Sequence, residues 1–424
     1  MLTAYLESNG LIPTFQSAYR RNHSTETALL KICNDSLLAA DNGMVTIVVL
    51  LDYSAAFDTV DHSVMLDILE RRCGLTDAAL QWHKSYLHCR SYAVISGGAM
   101  SETTDLECGV PQGSSLGPLK FVVYAADLHM VTSRHSVKLH SFADDTQLYK
   151  HTSIGNVQQA KHDVIAAIND INRWSQSFKL KLNAQKSEVI WLGTRQQLAK
   201  LSQADMTLQL PDGPLISQST VRNLGVQLDS ELGFDAQARH CVKSCYYHLR
   251  RISQIKRYVD QDCLRSLVHA FVTSRLDYCN SLYAHCNVST RQRLQRVQNR
   301  AARAVLNAPP RTPSLQLLRQ LHWLPIEARI SYKLCSLMYR VVHGSAPTYL
   351  TELCQPCSDT RLRSTSRGDF IVPRFNRQLS NSSFSVAAPS AWNSLPSHIR
   401  TSSTYTLFIT TCRLKTHLFA ESLR

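Results

Sequence analysis

Hydrophobic and polar positions change period several times along the chain, and the changes predict its elements. Residues 2–40 read as helical, with Ser24 as an N-cap and Thr27 opening the apolar face of the main helix. Val45, Ile47, Val48, Val49, Leu50 and Leu51 are nearly continuous and mostly β-branched, which predicts a buried strand from Gly43 to Leu51. Val60-Asp61-His62 leads into a helix carrying Leu66 and Leu69. Residues 76–96 predict a helix with Leu80 and Trp82, then a strand through Tyr92, Val94 and Ile95, turned by Gly97-Gly98. A helical run comes next, from Phe121 to Leu128. Val137, Leu139 and Ser141 then alternate with Lys138 and His140, and a second alternating run spans Gln147 to His151. Together they predict a hairpin with Asp144-Asp145 at its tip.

Val164, Ile165, Ile168, Ile171 and Trp174 form the apolar face of the next helix. Lys179–Asn183 and Glu188–Gly193 predict two short strands flanking Lys186, and Val221–Leu228 predicts a strand-turn-strand around Gly225. From about residue 236 the texture is that of basic helices. Residues 309–314 read as a linker and 358–390 as a Ser/Arg-rich loop. A last helix carries Leu407, Phe408, Leu414 and Leu418.

Charge changes the picture most. The formal net charge is +14, yet residues 1–240 hold 20 Lys+Arg against 24 Asp+Glu, and residues 241–424 hold 26 against 8. One half keeps the acids and the other is strongly cationic, which predicts a polyanionic partner, nucleic acid ahead of membrane. No apolar run approaches the roughly 18–20 residues a membrane helix needs. Thirteen scattered cysteines, with no secretory signal, predict reduced thiols in an intracellular protein of the nucleus or cytoplasm. Cys354 and Cys357 have a metal-ligand spacing, but the nearest further pair, His285-Cys286, lies far upstream, so ordinary thiols are the reading. The start at Met1-Leu2-Thr3 is already inside helical spacing, as expected of a coding region truncated upstream.

Candidate chemistry lies mostly before residue 190. Asp52 directly follows the buried strand; taken alone it could be a helix N-cap. Asp144-Asp145 alone is a common kind of solvated turn. Three such carboxylates on one sheet could instead hold two Mg²⁺ ions. Ser54, Ala55 and Ala56 leave room beside Phe57, which is otherwise a core aromatic. Cys108 to Leu119 is a glycine-rich loop opening a helix, in which Gln112 offers an amide to a sugar or base edge. Arg20 and Arg21 precede a helix start, a place suited to phosphate. Arg250, Arg251, Lys256 and Arg257 form one basic cluster. Arg296, Arg300 and Arg303 share a helical stripe. These faces read as a nucleic-acid-binding surface.

The segments Leu51-Asp52-Tyr53-Ser54-Ala55-Ala56-Phe57-Asp58, Gly109-Val110-Pro111-Gln112-Gly113-Ser114 with Leu116-Gly117-Pro118, and Phe142-Ala143-Asp144-Asp145 resemble, in that order, the palm motifs of reverse transcriptases of non-LTR (LINE-type) retrotransposons. The resemblance runs from about Leu11 to Leu232. More loosely, the basic remainder is similar to the region after the palm in jockey- and CR1-like elements. The resemblance implies an α/β fold: a right-hand polymerase palm with partial fingers over residues 1–232, a mainly helical thumb-like region over 236–308, and a basic C-terminal region over 315–424. It implies metal binding by Asp52, Asp144 and Asp145, with Asp145 the least direct ligand in many members, and two Mg²⁺ ions for which Mn²⁺ can substitute. Phe57 would be the steric gate against a ribose 2′-hydroxyl. Gln112 and Gly113 would touch the incoming nucleotide and template, and Arg20 would lie near its triphosphate. Lys186 would be the general acid for pyrophosphate, and Leu224-Gly225-Val226 the primer grip. The implied partners are an RNA template, a DNA primer and deoxynucleoside triphosphates.

The chain departs from the pattern in places. The upstream Tyr-Arg-Pro-Ile-like fingers motif, an endonuclease domain and a zinc knuckle are not seen in it. Lys120 stands where an apolar residue is usual, and Ala125-Ala126-Asp127 replaces an Asn-Asp pattern. A buried lysine is costly unless its head reaches water. Two other readings remain: a catalytically impaired remnant that only binds nucleic acid, and an RNA-dependent RNA polymerase, against which Phe57 argues.

Overall fold

The computed structural model describes residues 2–284, 286–357, 367–374, 378–409 and 414–422. Two compact units interleave along the chain. The first takes in Met1–Ser24, Ile47–Ile190 and Leu201–Gln218; the second takes in Thr25–Thr46, Trp191–Lys200 and Ser219–Arg424.

The first unit is built on a four-stranded sheet: β1 (Val45–Leu51), β2 (Lys138–Phe142), β3 (Asp145–Thr152) and β4 (Glu188–Leu192), in the order β2-β3-β1-β4. Strand β1 is buried almost throughout, as its continuous apolar run predicts. Strands β2 and β3 pair antiparallel from Lys138↔Tyr149 to Phe142↔Asp145. The expected alternation of β2 breaks at His140, which is fully buried. The reason is that this edge strand is covered. Ser141 N–H donates to Phe15 O at 2.8 Å, Ser17 N–H donates to Ser141 O at 2.9 Å, and the His140 ring bonds Ser17 Oγ at 2.8 Å. Covering by a loop removes the unpaired edge that a hairpin would otherwise present.

The helix expected from Phe121 begins earlier, at Gly117, and ends at Tyr124. Ser114 Oγ accepts from Gly117 N–H at 3.0 Å, satisfying one of the free donors of its first turn. Phe121, Val122, Val123 and Tyr124 enter a core with Tyr53, Val60, Met65 and Leu80. The segment 179–183, expected as a strand, makes only the bridge Tyr53↔Leu182. Lys179 takes a left-handed φ of 58°, which ends regular pairing there. The helix Val157–Ser177 buries Val164, Ile168 and Ile171 as read. Lys120 does not reach water. It is 1% exposed, and its ammonium lies 4.8 Å over the Tyr86 ring without a hydrogen-bond partner among the described residues.

The second unit is mainly helical, with long helices at Asp235–Ile255, Val288–Leu306 and Ile326–Val342. Its less expected member is Thr25–Asp41, buried on nearly every face. Glu26 accepts from Ser281 N–H and Oγ–H at 3.1 and 2.6 Å and pairs with Lys333 at 3.3 Å. Ser385 N–H donates to Asn34 Oδ1 at 2.9 Å. A helix from early in the sequence therefore sits among residues from late in it, where a linear division at 232 predicts separation.

Thr220–Asn223 and Val226–Asp229 form the expected hairpin, with Leu224 and Gly225 both at positive φ, as a type I′ turn requires. Of the loop expected over 358–390, residues 358–366 and 375–377 lie outside the described residues. Phe384–Asn393 is a helix, because Phe384, Ala387, Ala388 and Trp392 give it an apolar face to bury. Of the last helix, Tyr405–Ile409 and Leu414–Ser422 are described; Phe408, Leu414 and Leu418 are buried and Leu407 is exposed. Every described cysteine is free, and His285 lies outside the described residues. No described helix is long and apolar enough to cross a membrane.

Candidate active site

The site gathers where β1 ends and the β2–β3 hairpin turns, two neighbouring places on one sheet. Asp52 follows the last residue of β1. Its backbone carbonyl accepts from Asn183 N–H at 2.8 Å, and Ser54 N–H donates to Lys181 O at 2.9 Å, so the 181–183 segment continues alongside it. Asn183 Oδ1 then accepts from the amides of Gln185 and Lys186 at 3.2 and 3.3 Å, a local turn that brings Lys186 back. Lys186 Nζ lies 3.6 Å from Asp52 Oδ2, an oxygen buried without a hydrogen-bond partner among the described residues. The local pattern placed Lys186 between two strands and the resemblance made it a general acid; the fold sets it against the first carboxylate.

Asp144 occupies the two-residue turn of the hairpin, after Ala143 in a left-handed φ of 59°. Gln16, a residue no sequence signal singled out, holds this turn. Its Oε1 accepts from Ala143 N–H at 3.0 Å, and its Nε2 donates to Ala143 O at 3.3 Å. Burial, reinforced by the charge of Asp52, pushes the Asp144 carboxyl above the usual carboxylate range. Asp145 reaches solvent, yet its surroundings are desolvated, and Asp144 and Asp52 add their charges. Its pKa is pushed up to about 6. The three carboxylates thus repel one another across the site, which a cation would relieve. Tyr19, also missed from sequence, stands close enough for Asp144, after burial, to raise its phenol.

The other expected residues divide. Phe57 is partly buried and stacks on Phe121, centroids 4.5 Å apart at 29°. Gln112 Nε2 donates to Asp58 Oδ1 at 3.0 Å, tying the glycine-rich loop to the segment after Asp52. Gly109 makes that approach possible, with φ at +88° and Asp58 O 2.9 Å from where a Cβ would stand. Gly113 also has positive φ, but faces open space. Arg20, expected at a triphosphate, is instead engaged with Pro13 O and Gln16 O at 3.0 and 3.1 Å, and with Glu7 at 3.5 Å.

The oxygen-only donor set of Asp52, Asp144 and Asp145 suits Mg²⁺ or Mn²⁺, and both the mutual repulsion and an Asp52 Oδ2 that accepts no hydrogen bond among the described residues fit such an ion. Among the described residues no three His, Cys, Asp or Glu side chains are already drawn together to metal-binding distance.

In the second unit, Arg250, Arg251, Lys256 and Arg257 are exposed; Lys256 donates to Asn307 Oδ1 at 3.0 Å, and Arg257 lies 4.7 Å over the Tyr258 ring. Arg296 and Arg300 are exposed on the Val288–Leu306 helix. Arg303 does not join them. Its guanidinium donates to Thr312 O at 3.3 Å and Ser314 Oγ at 2.9 Å, because the linker folds back on that turn.

The family described as reverse transcriptase (RNA-dependent DNA polymerase) matches residues 1–228. The probable RNA-directed DNA polymerase from transposon BS of Drosophila melanogaster is 27% identical over 342 residues, which are 76% of this chain and 35% of that protein. The RNA-directed DNA polymerase from mobile element jockey of the same fly is 24% identical over 311 residues, 70% of this chain and 32% of that one. The chain therefore spans about a third of the length of these relatives. Among solved structures, telomerase from Candida albicans, in complex with a fragment of telomeric RNA, covers 78% of this chain and 55% of its own at 13% identity and a TM-score of 0.38. With more than half of its length matched, this chain belongs to the reverse transcriptase (RNA-dependent DNA polymerase) family, among relatives from jockey-type non-LTR retrotransposons.

Proposed function

We propose that this chain is an RNA-directed DNA polymerase domain that extends a DNA primer with deoxynucleotides on an RNA template. In this reading the first unit holds the right-hand palm with partial fingers, and the helical second unit serves as thumb and basic C-terminal region. The observation that carries it is the placement of Asp52, after β1, beside Asp144 and Asp145 at the start of the neighbouring strand β3, with Lys186 3.6 Å from Asp52. Asp52, Asp144 and Asp145 would hold two Mg²⁺ ions, or Mn²⁺ in their place. When bound, such ions would supply positive charge where the phosphoryl transfer builds up negative charge.

The chain's own residues do the rest by placement. The primer 3′-hydroxyl would lose its proton to solvent as its oxygen bonds to the α-phosphorus, the bond from that phosphorus to the oxygen bridging the β-phosphate would break, and pyrophosphate would leave. In this reading Lys186 would give that leaving group its proton. Gln112 and Gly113 lie on the loop that would meet the nucleotide and template. Phe57, held by stacking on Phe121, would occupy the space of a ribose 2′-hydroxyl.

The test is primer extension on poly(rA)/oligo(dT) with Mg²⁺. The double variant Asp144→Ala, Asp145→Ala is expected to lose more than about a hundredfold in rate. In an active enzyme, Phe57→Ala is expected to admit ribonucleotides. Incorporation that survives the double variant sinks the carboxylate assignment. No incorporation by the unaltered chain, with salt-sensitive RNA binding retained, selects the remnant that only binds nucleic acid.

A further inference from the structure

The second unit contains a cavity of about 350 Å³ that the polymerase reading leaves unused. Its size suits a small ligand. Its surroundings combine three features. Aromatic surface comes first: Trp323, itself buried, meets the edge of His269 with centroids 5.4 Å apart. Cations come second, from Arg329, Lys333 and Lys415. Arg329 is partly neutralised by Asp277, 2.8 Å away, and Lys333 by Glu26. Lys415 is exposed and has no carboxylate partner among the described residues. The third feature is an unmet need. Asn280 lines the cavity and is 3% exposed, and its Oδ1 is buried without a hydrogen-bond partner among the described residues.

We infer that this cavity binds a nucleoside monophosphate unit, with its phosphate toward Lys415, its base against Trp323 and His269, and a hydroxyl or amine donor to Asn280 Oδ1. Inorganic phosphate would satisfy the lysine and leave the aromatic wall and the buried acceptor unused. A plain nucleoside would stack but leave the unpaired cation unanswered. A nucleotide satisfies all three features, since a charge-assisted contact, a stacking wall and a buried acceptor each add selectivity. A positive field is already present there. Burial, together with Arg329, Arg265 and Lys415, holds the His269 imidazole below its ordinary pKa. The ligand has two sources with the same chemistry: a free mononucleotide or the phosphorylated end of a strand.

The full chain, in EDTA so that no divalent ion assists the carboxylate site, is titrated calorimetrically with AMP, inorganic phosphate and adenosine. AMP is expected to bind at least about tenfold more tightly than either. Lys415→Gln, a surface change that leaves the core alone, is expected to weaken AMP about five- to tenfold and leave adenosine unchanged. Asn280→Asp, similar in shape but anionic, is expected to weaken AMP at least as much, with an unchanged circular dichroism spectrum. Competition by a 5′-phosphorylated oligonucleotide assigns the site to strand ends; its failure to compete assigns it to free nucleotides. AMP binding no tighter than phosphate, or unmoved by both variants, overturns the inference. So does equal competition from a 5′-hydroxyl oligonucleotide, which would place the binding on the exposed basic faces.

Discussion

Lys120 shows how much one residue can depart from the pattern around it. It lies in the first turns of the Gly117–Tyr124 helix, among side chains that build the core. Its ammonium has the Tyr86 ring but no hydrogen-bond acceptor among the described residues. Burial first, and Arg90 second, depress its pKa to about 8. Linkage gives the sign. A lysine depressed in the folded state penalises folding below its folded pKa, and the penalty fades as pH rises from about 8 toward the unfolded value. The cation–π contact recovers part of the cost. Lys120→Met, which keeps the length and removes the charge, is therefore expected to stabilise the chain at pH 7 by on the order of 1–3 kcal/mol. The gain should shrink toward pH 10. Urea denaturation of both proteins at pH 7 and pH 9.5 reads it directly; a gain equal at both pH values would show that packing, and not ionisation, is responsible.

At the scale of elements, the site depends on short backbone contacts that let separate segments meet. Gly109 N–H donates to Val60 O at 2.7 Å and Val110 N–H donates to Phe57 O at 2.9 Å, so the glycine-rich loop lies directly on the segment after Asp52. A methyl group at Gly109 would collide with Asp58 backbone atoms at 2.9–3.2 Å, and φ is +88°. Gly109→Ala is expected to cost more than about 2 kcal/mol. Gly113→Ala, at φ +79° with open space around it, should cost about 1 kcal/mol. Urea melts of the two variants test this, and equal costs would mean that the collision is relieved by movement of the loop. These contacts also explain what could be read in advance. The buried strand, the hairpin and the order of the carboxylates were legible, because periodicity reports burial and turn residues report reversals. Gln16 was not legible, since nothing local marks a glutamine that will clamp a turn more than a hundred residues away. His140 misled because alternation assumes a wet face, whereas the segment paired along the strand's edge brings Ser17 and Phe15 against its ring. The helix read over residues 2–40 forms only at Leu2–Ser8 and Thr25–Asp41, and its apolar spacing could not say that residues beyond 280 would surround the second piece.

For the whole molecule, the uneven charge matters more than its total. Of the 46 Lys+Arg, 26 fall after residue 240 against only 8 acids. Where they point decides whether they bind nucleic acid or hold the fold. Arg329, Arg293 and Arg291 pair with Asp277, Asp235 and Glu327, and Arg303 secures the linker. Arg296 and Arg300 remain exposed on one helix, as do Arg250 and Arg251 on another. When such a side chain binds a phosphate it releases counterions, and on a single strand each neutralised phosphate adds about 0.7 to the slope of log affinity against log salt. Arg296→Gln with Arg300→Gln is therefore expected to weaken RNA binding at low salt and lower that slope by about 1.4, with thermal stability unchanged. Arg303→Gln is expected to do the opposite, lowering stability by about 1–2 kcal/mol because the linker no longer has its guanidinium donor, and leaving the slope alone. Fluorescence anisotropy of a labelled RNA across a salt series, beside a thermal melt of each variant, separates the two. A slope that falls for Arg303→Gln and not for the double variant would move the nucleic-acid face to the other side of this helix.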